Sequence, residues 1–90
     1  MAVTDEQLMA PVSDYLAQAG DWDTFDLPRL ALLMQVPGQR LHEWAEQRGS
    51  LMEPSWPGQG WVWQADQFRS WYWAGGISAL ATWVRLNRDF

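Results

Sequence analysis

The chain has no cysteine, no lysine and a single histidine, His42. Without cysteine there is no disulfide framework, no thiolate-held zinc and no thiol nucleophile, and the composition suits a reducing compartment, so a cytoplasmic location is the default expectation. One histidine excludes a multi-histidine metal site, and no Asp/Glu cluster has the spacing of a cation-binding loop. A Ser-His-Asp arrangement would have to be built on His42, whose neighbours carry no nucleophile motif. No serine lies in a Gly-x-Ser-x-Gly elbow, and neither Pro57-Gly58-Gln59-Gly60 nor Gly75-Gly76 leads into the Lys-Ser/Thr of a phosphate-binding loop. Enzymatic activity, a metal centre and a bound cofactor are not expected.

Long apolar runs are also missing. The longest stretch without a charge, Ser70 to Val84, contains Gly75-Gly76 and spans 15 residues. That is short of the roughly 20 needed to cross a bilayer. The opening residues, Met1 to Gln7, are acidic and have neither the positive nor the apolar region of an export signal. A soluble protein with no membrane partner is expected.

Basic charge is scarce and unevenly placed. Net charge is -5, and residues 1–28 hold six carboxylates with no base, whereas residues 29–90 carry six arginines against five carboxylates. Nonspecific affinity for nucleic acid comes mainly from neutralising phosphates, so this balance argues against a strong, charge-driven DNA or RNA binder.

What the chain has in excess is tryptophan. Eight of its 90 residues are Trp, and six of these fall between Trp44 and Trp73. Each indole buries a large apolar area while its N–H needs a partner, so the cluster marks either an aromatic core or a ring-lined contact surface. A domain of 90 residues buries only about 60–65% of its unfolded surface, and large side chains offset that handicap. The whole chain, 1–90, reads as one domain.

Thr4-Asp5-Glu6-Gln7 has the form of a capping box, followed by Leu8, Val12, Tyr15, Leu16 and Ala19 at helical spacing. Pro11 either kinks this first helix or marks its effective start. After a connector, Asp21 to Phe25, that can add a few extended residues, Asp26 caps a second helix with Pro28 in its first turn and Leu27, Leu30, Leu33 and Met34 as its stripe. A turn at Val36-Pro37-Gly38 precedes a third helix, residues 38–48, with Leu41, Trp44 and Ala45 on one face. Then the period changes: Ser50-Leu51-Met52-Glu53 and Trp61-Val62-Trp63-Gln64 read as two strands of a hairpin around a Pro/Gly loop. Asp66 can cap a further helix bearing Phe68, Trp71 and Tyr72, which Gly75-Gly76 should end or bend, and Ile77, Leu80, Ala81 and Val84 make a last amphipathic helix.

This order resembles the winged helix-turn-helix superfamily over residues 4–65, most characteristically from Leu27 through Met52, with residues 66–90 as a helical extension. The resemblance implies an α+β, mainly helical fold of three helices plus a two-stranded hairpin, with one or two added C-terminal helices. It makes residues 38–48 a recognition helix, in which Gln39, Arg40 and Gln47 would read base edges in a major groove. Against that, no base occurs between Gly49 and Phe68 to neutralise phosphate at the wing, and Glu43 and Glu46 would face the DNA backbone.

A protein-binding winged helix is therefore favoured, acting as an interaction module such as a regulator in a nucleic-acid-handling complex, with sequence-specific DNA binding as the alternative. The residues assigned to partner or DNA are Gln39, Arg40, Glu43, Gln47, Trp56 and Gln59. Trp61, Trp63, Trp71 and Trp73 are expected to pack as a seam between hairpin and following helix, leaving Trp56 at the loop exposed as an anchor. The stripe from Ile77 to Leu86 either closes the core against the first helix or makes a homodimer contact, and the dimer is favoured.

Overall fold

The computed structural model describes residues 3–47 and 49–87. Thr4 opens helix α1 (Asp5–Leu8) with a complete capping box: its hydroxyl accepts from the Gln7 N–H, and its own N–H donates to Gln7 Oε1, each at 3.1 Å. Pro11 does not kink a longer helix but sits in the first turn of a second one, α2 (Ala10–Gln18), where its missing N–H costs nothing. The two helices present Leu8, Val12 and Leu16 to the core.

Asp26 caps α3 (Leu27–Met34) by accepting from the Arg29 N–H at 3.1 Å. The helix ends at Gln35, whose left-handed backbone (φ 57°) turns the chain so that Val36 N–H donates to Ala31 O at 3.1 Å. After Pro37 comes α4 (Gly38–Ala45), which packs against α3 through Leu41 and Ala45 while Leu30 and Met34 fill the other side. The turn and α3 follow the sequence expectation, while α4 ends at Ala45, three residues short of the expected 38–48.

The strands do not. Val62–Gln64 (β2) pairs antiparallel with Thr24–Asp26 (β1), in the register Thr24 with Gln64, Phe25 with Trp63 and Asp26 with Val62. Leu27 N–H to Trp61 O at 3.0 Å and Ala65 N–H to Asp23 O at 2.7 Å extend the ladder at both ends. Ser50–Glu53, expected as the first strand, is irregular. Pro54 removes a donor beside it, and the segment meets β2 through single contacts: Ser55 N–H to Val62 O at 3.0 Å, Gln64 N–H to Ser55 Oγ at 2.9 Å and Trp63 Nε1 to Met52 O at 3.0 Å. The fold is mainly helical α+β with a two-stranded antiparallel ribbon whose strands lie far apart in sequence.

That pairing sets the aromatic core. Phe25 meets Tyr15, Trp63 and Phe68 at ring-centroid distances of 5.3, 5.5 and 4.8 Å. Phe68 belongs to α5 (Ala65–Trp71), which starts directly from β2 with Gln64 rather than Asp66 at its cap position. Gly75-Gly76 bends the chain as anticipated: Tyr72–Gly76 form one wide turn, with Gly75 at φ 133°, before α6 (Ile77–Asn87).

Helix α6 packs on α1, burying Leu80, Ala81, Trp83 and Val84. The Ile77–Leu86 stripe therefore closes this chain's own core and is not free for a second copy; a dimer through α6 would have to use the opposite side, where Ser78, Ala79, Thr82 and Leu86 are exposed. Arg85 fastens the same contact by donating to the Asp5 carboxylate and to Val3 O.

Candidate functional site

Helix α4 has a hydrophobic side and a polar side because Leu41 and Ala45 must face α3. That leaves Gln39, Arg40 and Glu43 in solvent, joined by Gln47 just beyond the helix end. These four line one side of a groove of about 530 Å³ between α4 and the end of α6. Its remaining lining is Pro37, Trp44, Trp83 and Asn87. Trp44 and Trp83 lie nearly parallel, with centroids 5.3 Å apart and planes 24° from one another.

Among the described residues, the Trp61 and Trp63 indoles donate to Glu46 and Met52 O, whereas Trp44 and Trp83 have no N–H partner, although Trp83 is only 7% exposed. Arg40 and Glu43 make no hydrogen bond or ion pair among the described residues either.

The other charges are mostly engaged. Arg69 donates to Leu16 O (2.8 Å), Ala19 O (2.8 Å) and Asp21 Oδ1 (2.9 Å), tying down the end of α2. With Arg85 held by Asp5, Arg29 and Arg40 are the described arginines whose guanidinium groups are unengaged; Arg48 lies outside the described residues. Four of the six carboxylates of the first quarter are engaged as well: Asp23 accepts from the Gly20 N–H at 2.8 Å, Asp26 caps α3, and Asp5 and Asp21 pair with arginines.

A second cleft, of about 460 Å³, opens between the starts of α3 and α4 and the approach to β2. Leu27, Pro28, Gly38, Trp61 and Val62 make it apolar, with Asp26 and His42 at its edge. His42 pairs with Glu46 at 3.2 Å, and Trp61 Nε1 donates to the same carboxylate at 3.4 Å. The cleft's lining carries no arginine.

Trp56 and Gln59 sit apart from the α4–α6 groove, in the loop before β2, where Gln59 N–H donates to Trp56 O at 3.1 Å and Trp56 is 39% exposed. The expected aromatic seam is only partly formed. Trp63 is fully buried and Trp61 and Trp71 half-buried, but Trp73 is 57% exposed because the wide turn at Tyr72–Gly76 carries it to the outer side. Sequence reading missed Trp83 and Asn87 as groove residues: their meeting with α4 depends on how α6 returns across the fold. It also missed Trp22, which is 85% exposed.

Comparison of the chain with family models, curated proteins and solved structures finds no significant match. Among the described residues no helix is long and apolar enough to cross a membrane.

Proposed function

We propose that the chain is a small, non-enzymatic winged helix-turn-helix protein that docks another protein in the groove between α4 and α6. The order of α1–α2, β1, α3, turn, α4 and β2 supports the winged-helix reading, while the ribbon joins a strand before α3 to one after α4 and is not a hairpin wing. The observation that carries the interaction reading is the composition of that groove: an exposed polar row beside a stacked indole pair, with one unengaged arginine. Aromatic rings flanked by satisfiable polar groups are what protein interfaces concentrate at their centres, whereas phosphate recognition needs several cations. The neighbouring apolar cleft is equally unsuited to a phosphate backbone.

Sequence-specific DNA binding through Gln39, Arg40 and Gln47 is the second reading, favoured by their exposure along α4 and just past its end. Selection from a randomised duplex pool at near-physiological salt separates the two. We expect no enriched sequence. An enriched site whose affinity collapses in Arg40→Ala would overturn the protein-docking reading in favour of DNA.

A further inference from the structure

We propose that two copies of the chain associate through the outer edge of β1, which pairs antiparallel with itself about a two-fold axis and joins two ribbons into one four-stranded sheet. The proposal is independent of the α4–α6 groove. Three observations carry it.

First, β1 has an open edge and β2 does not. Leu27 N–H to Trp61 O and Ala65 N–H to Asp23 O mark the odd-numbered positions in and beside β1 as those that bond across to β2. In an antiparallel ladder the alternate residues turn their N–H and C=O away from the partner strand, so those of Thr24 and Asp26 point outward. The same parity holds in β2, where Val62 O accepts from the Ser55 N–H and Gln64 N–H donates to Ser55 Oγ, which covers that strand's outer side. The matching side of β1 is uncovered: among the described residues, Thr24 N–H, Thr24 O and Asp26 N–H have no partner. Both residues are exposed, and a depression of about 230 Å³ lies against the strand, lined by Tyr15, Arg29, Val62 and the three β1 residues. An unpaired edge is a template for another strand.

Second, the flanks of that edge select a second copy as the occupant. Ahead of β1 stands Asp23, whose carboxylate accepts only the Gly20 N–H among the described residues; beyond it stands Arg29, whose guanidinium is unengaged. Antiparallel self-pairing, with Thr24 of one copy opposite Asp26 of the other, brings the leading flank of each copy to the trailing flank of its mate. Each Asp23 then approaches the other copy's Arg29, so the surface complements itself despite a net charge of -5. In this register Asp26 N–H of each copy donates to Thr24 O of the other, Thr24 N–H donates to Asp26 O, and no two carboxylates stand directly opposite.

Third, Trp22 is 85% exposed on the leading flank. The same register carries it toward the first turn of the other copy's α3, where Pro28 is exposed. Covering that indole supplies the apolar contact that a three-residue strand lacks, and Trp is enriched among the residues that anchor interfaces.

Sedimentation equilibrium of the full chain, taken to high micromolar concentration, should show a reversible monomer–dimer equilibrium. Arg29→Glu should weaken the dimer about tenfold, because two exposed ion pairs are lost and repulsion replaces them. Asp23→Arg combined with Arg29→Glu exchanges the two charges and should restore it. Thr24→Pro removes an outward N–H while sparing the β1–β2 bonds, and should abolish the dimer. Raising the concentration of nitrogen-15-labelled chain should shift the Thr24 and Asp26 amide resonances and the Trp22 indole N–H, a readout that needs no variant. A monomer at every concentration, a dimer that keeps its affinity in Arg29→Glu or in Thr24→Pro, or concentration-dependent shifts at Ser78, Ala79 and Thr82 of α6 in place of β1 would each overturn the proposal.

Discussion

Tyr72 is the residue at which chemistry and packing are most tightly joined. Its ring is fully buried, its hydroxyl is 2.7 Å from Ser13 Oγ, and it also donates to Met9 O at 3.4 Å. Burial pushes the phenol above its ordinary value near 10, and the Ser13 hydrogen bond partly offsets that rise. Folding therefore favours the protonated phenol. Its contribution is complete below the unfolded-state value and is lost as pH rises from there through the folded value. Denaturant midpoints measured across the alkaline range should fall above about pH 10, and Tyr72→Phe should flatten that fall while costing about 1 kcal/mol at neutral pH through the lost hydrogen bond. A midpoint equally steep in pH in the variant would show that Tyr72 is not the group responsible.

Arg69 is the other residue whose replacement should be felt. Its guanidinium satisfies two carbonyls at the end of α2 and the Asp21 carboxylate. Arg69→Ala should lower stability by about 2–3 kcal/mol, since bonds to a charged donor are worth more than neutral ones, and Arg69→Lys should recover only part of it because one ammonium cannot reproduce the planar fork. Thermal denaturation of both variants checks this. Residue-level readings succeeded where the cause is local: Thr4 and Asp26 cap through atoms three residues away, so spacing alone reveals them. Asp66 failed as a cap because β2 runs straight into α5 and moves the helix start to Ala65, which a local pattern does not encode.

At the level of elements, Gly76 governs how α5 passes into α6. A Cβ built there would lie 2.5 Å from Trp71 Cε3 and 2.6 Å from Cζ3, so the indole has to move. Gly76→Ala should destabilise by about 1–3 kcal/mol, the usual cost of overpacking. Gly38→Ala meets only the Ala31 Cβ at 4.0 Å and should leave stability unchanged or raise it by about 0.4–1 kcal/mol through the unfolded chain. Chemical denaturation of the pair distinguishes a crowded glycine from a permissive one.

The helices were legible because each carries its own period and stop signals. The ribbon was not. Three residues of β1 are too few to show alternation, and Phe25 finds Trp63 across 37 intervening positions, so the nearer segment Ser50–Glu53 looked like the natural partner. Trp73 was misplaced for a related reason: it follows Trp71 closely in sequence, but side chains two residues apart on a helical turn point to different sides, and Tyr72–Gly76 leave Trp73 on the outer one.

For the molecule as a whole, the aromatic excess divides into two uses. Trp63 with Phe25, Phe68 and Tyr72 forms the core of a domain too small to rely on aliphatic burial alone, while Trp44 and Trp83 line a groove at its edge. The polar half of that groove was legible, because Gln39, Arg40 and Glu43 lie on the outer side of one readable helix and Gln47 follows just past its end. Its aromatic half was not, since residues 44 and 83 meet only after every intervening element has packed.

The engaged arginines likewise became visible only in three dimensions, and they weaken the nucleic-acid reading further than composition did. The central claim is that this groove docks a protein. Its most direct test is purification of the tagged chain from its native source after nuclease treatment, beside a double variant, Arg40→Glu with Glu43→Arg, that keeps the helix formers and the net charge. The account predicts a protein that survives nuclease with the wild-type chain and is lost with the variant. Partners that vanish on nuclease treatment, or that the variant retains unchanged, would contradict it.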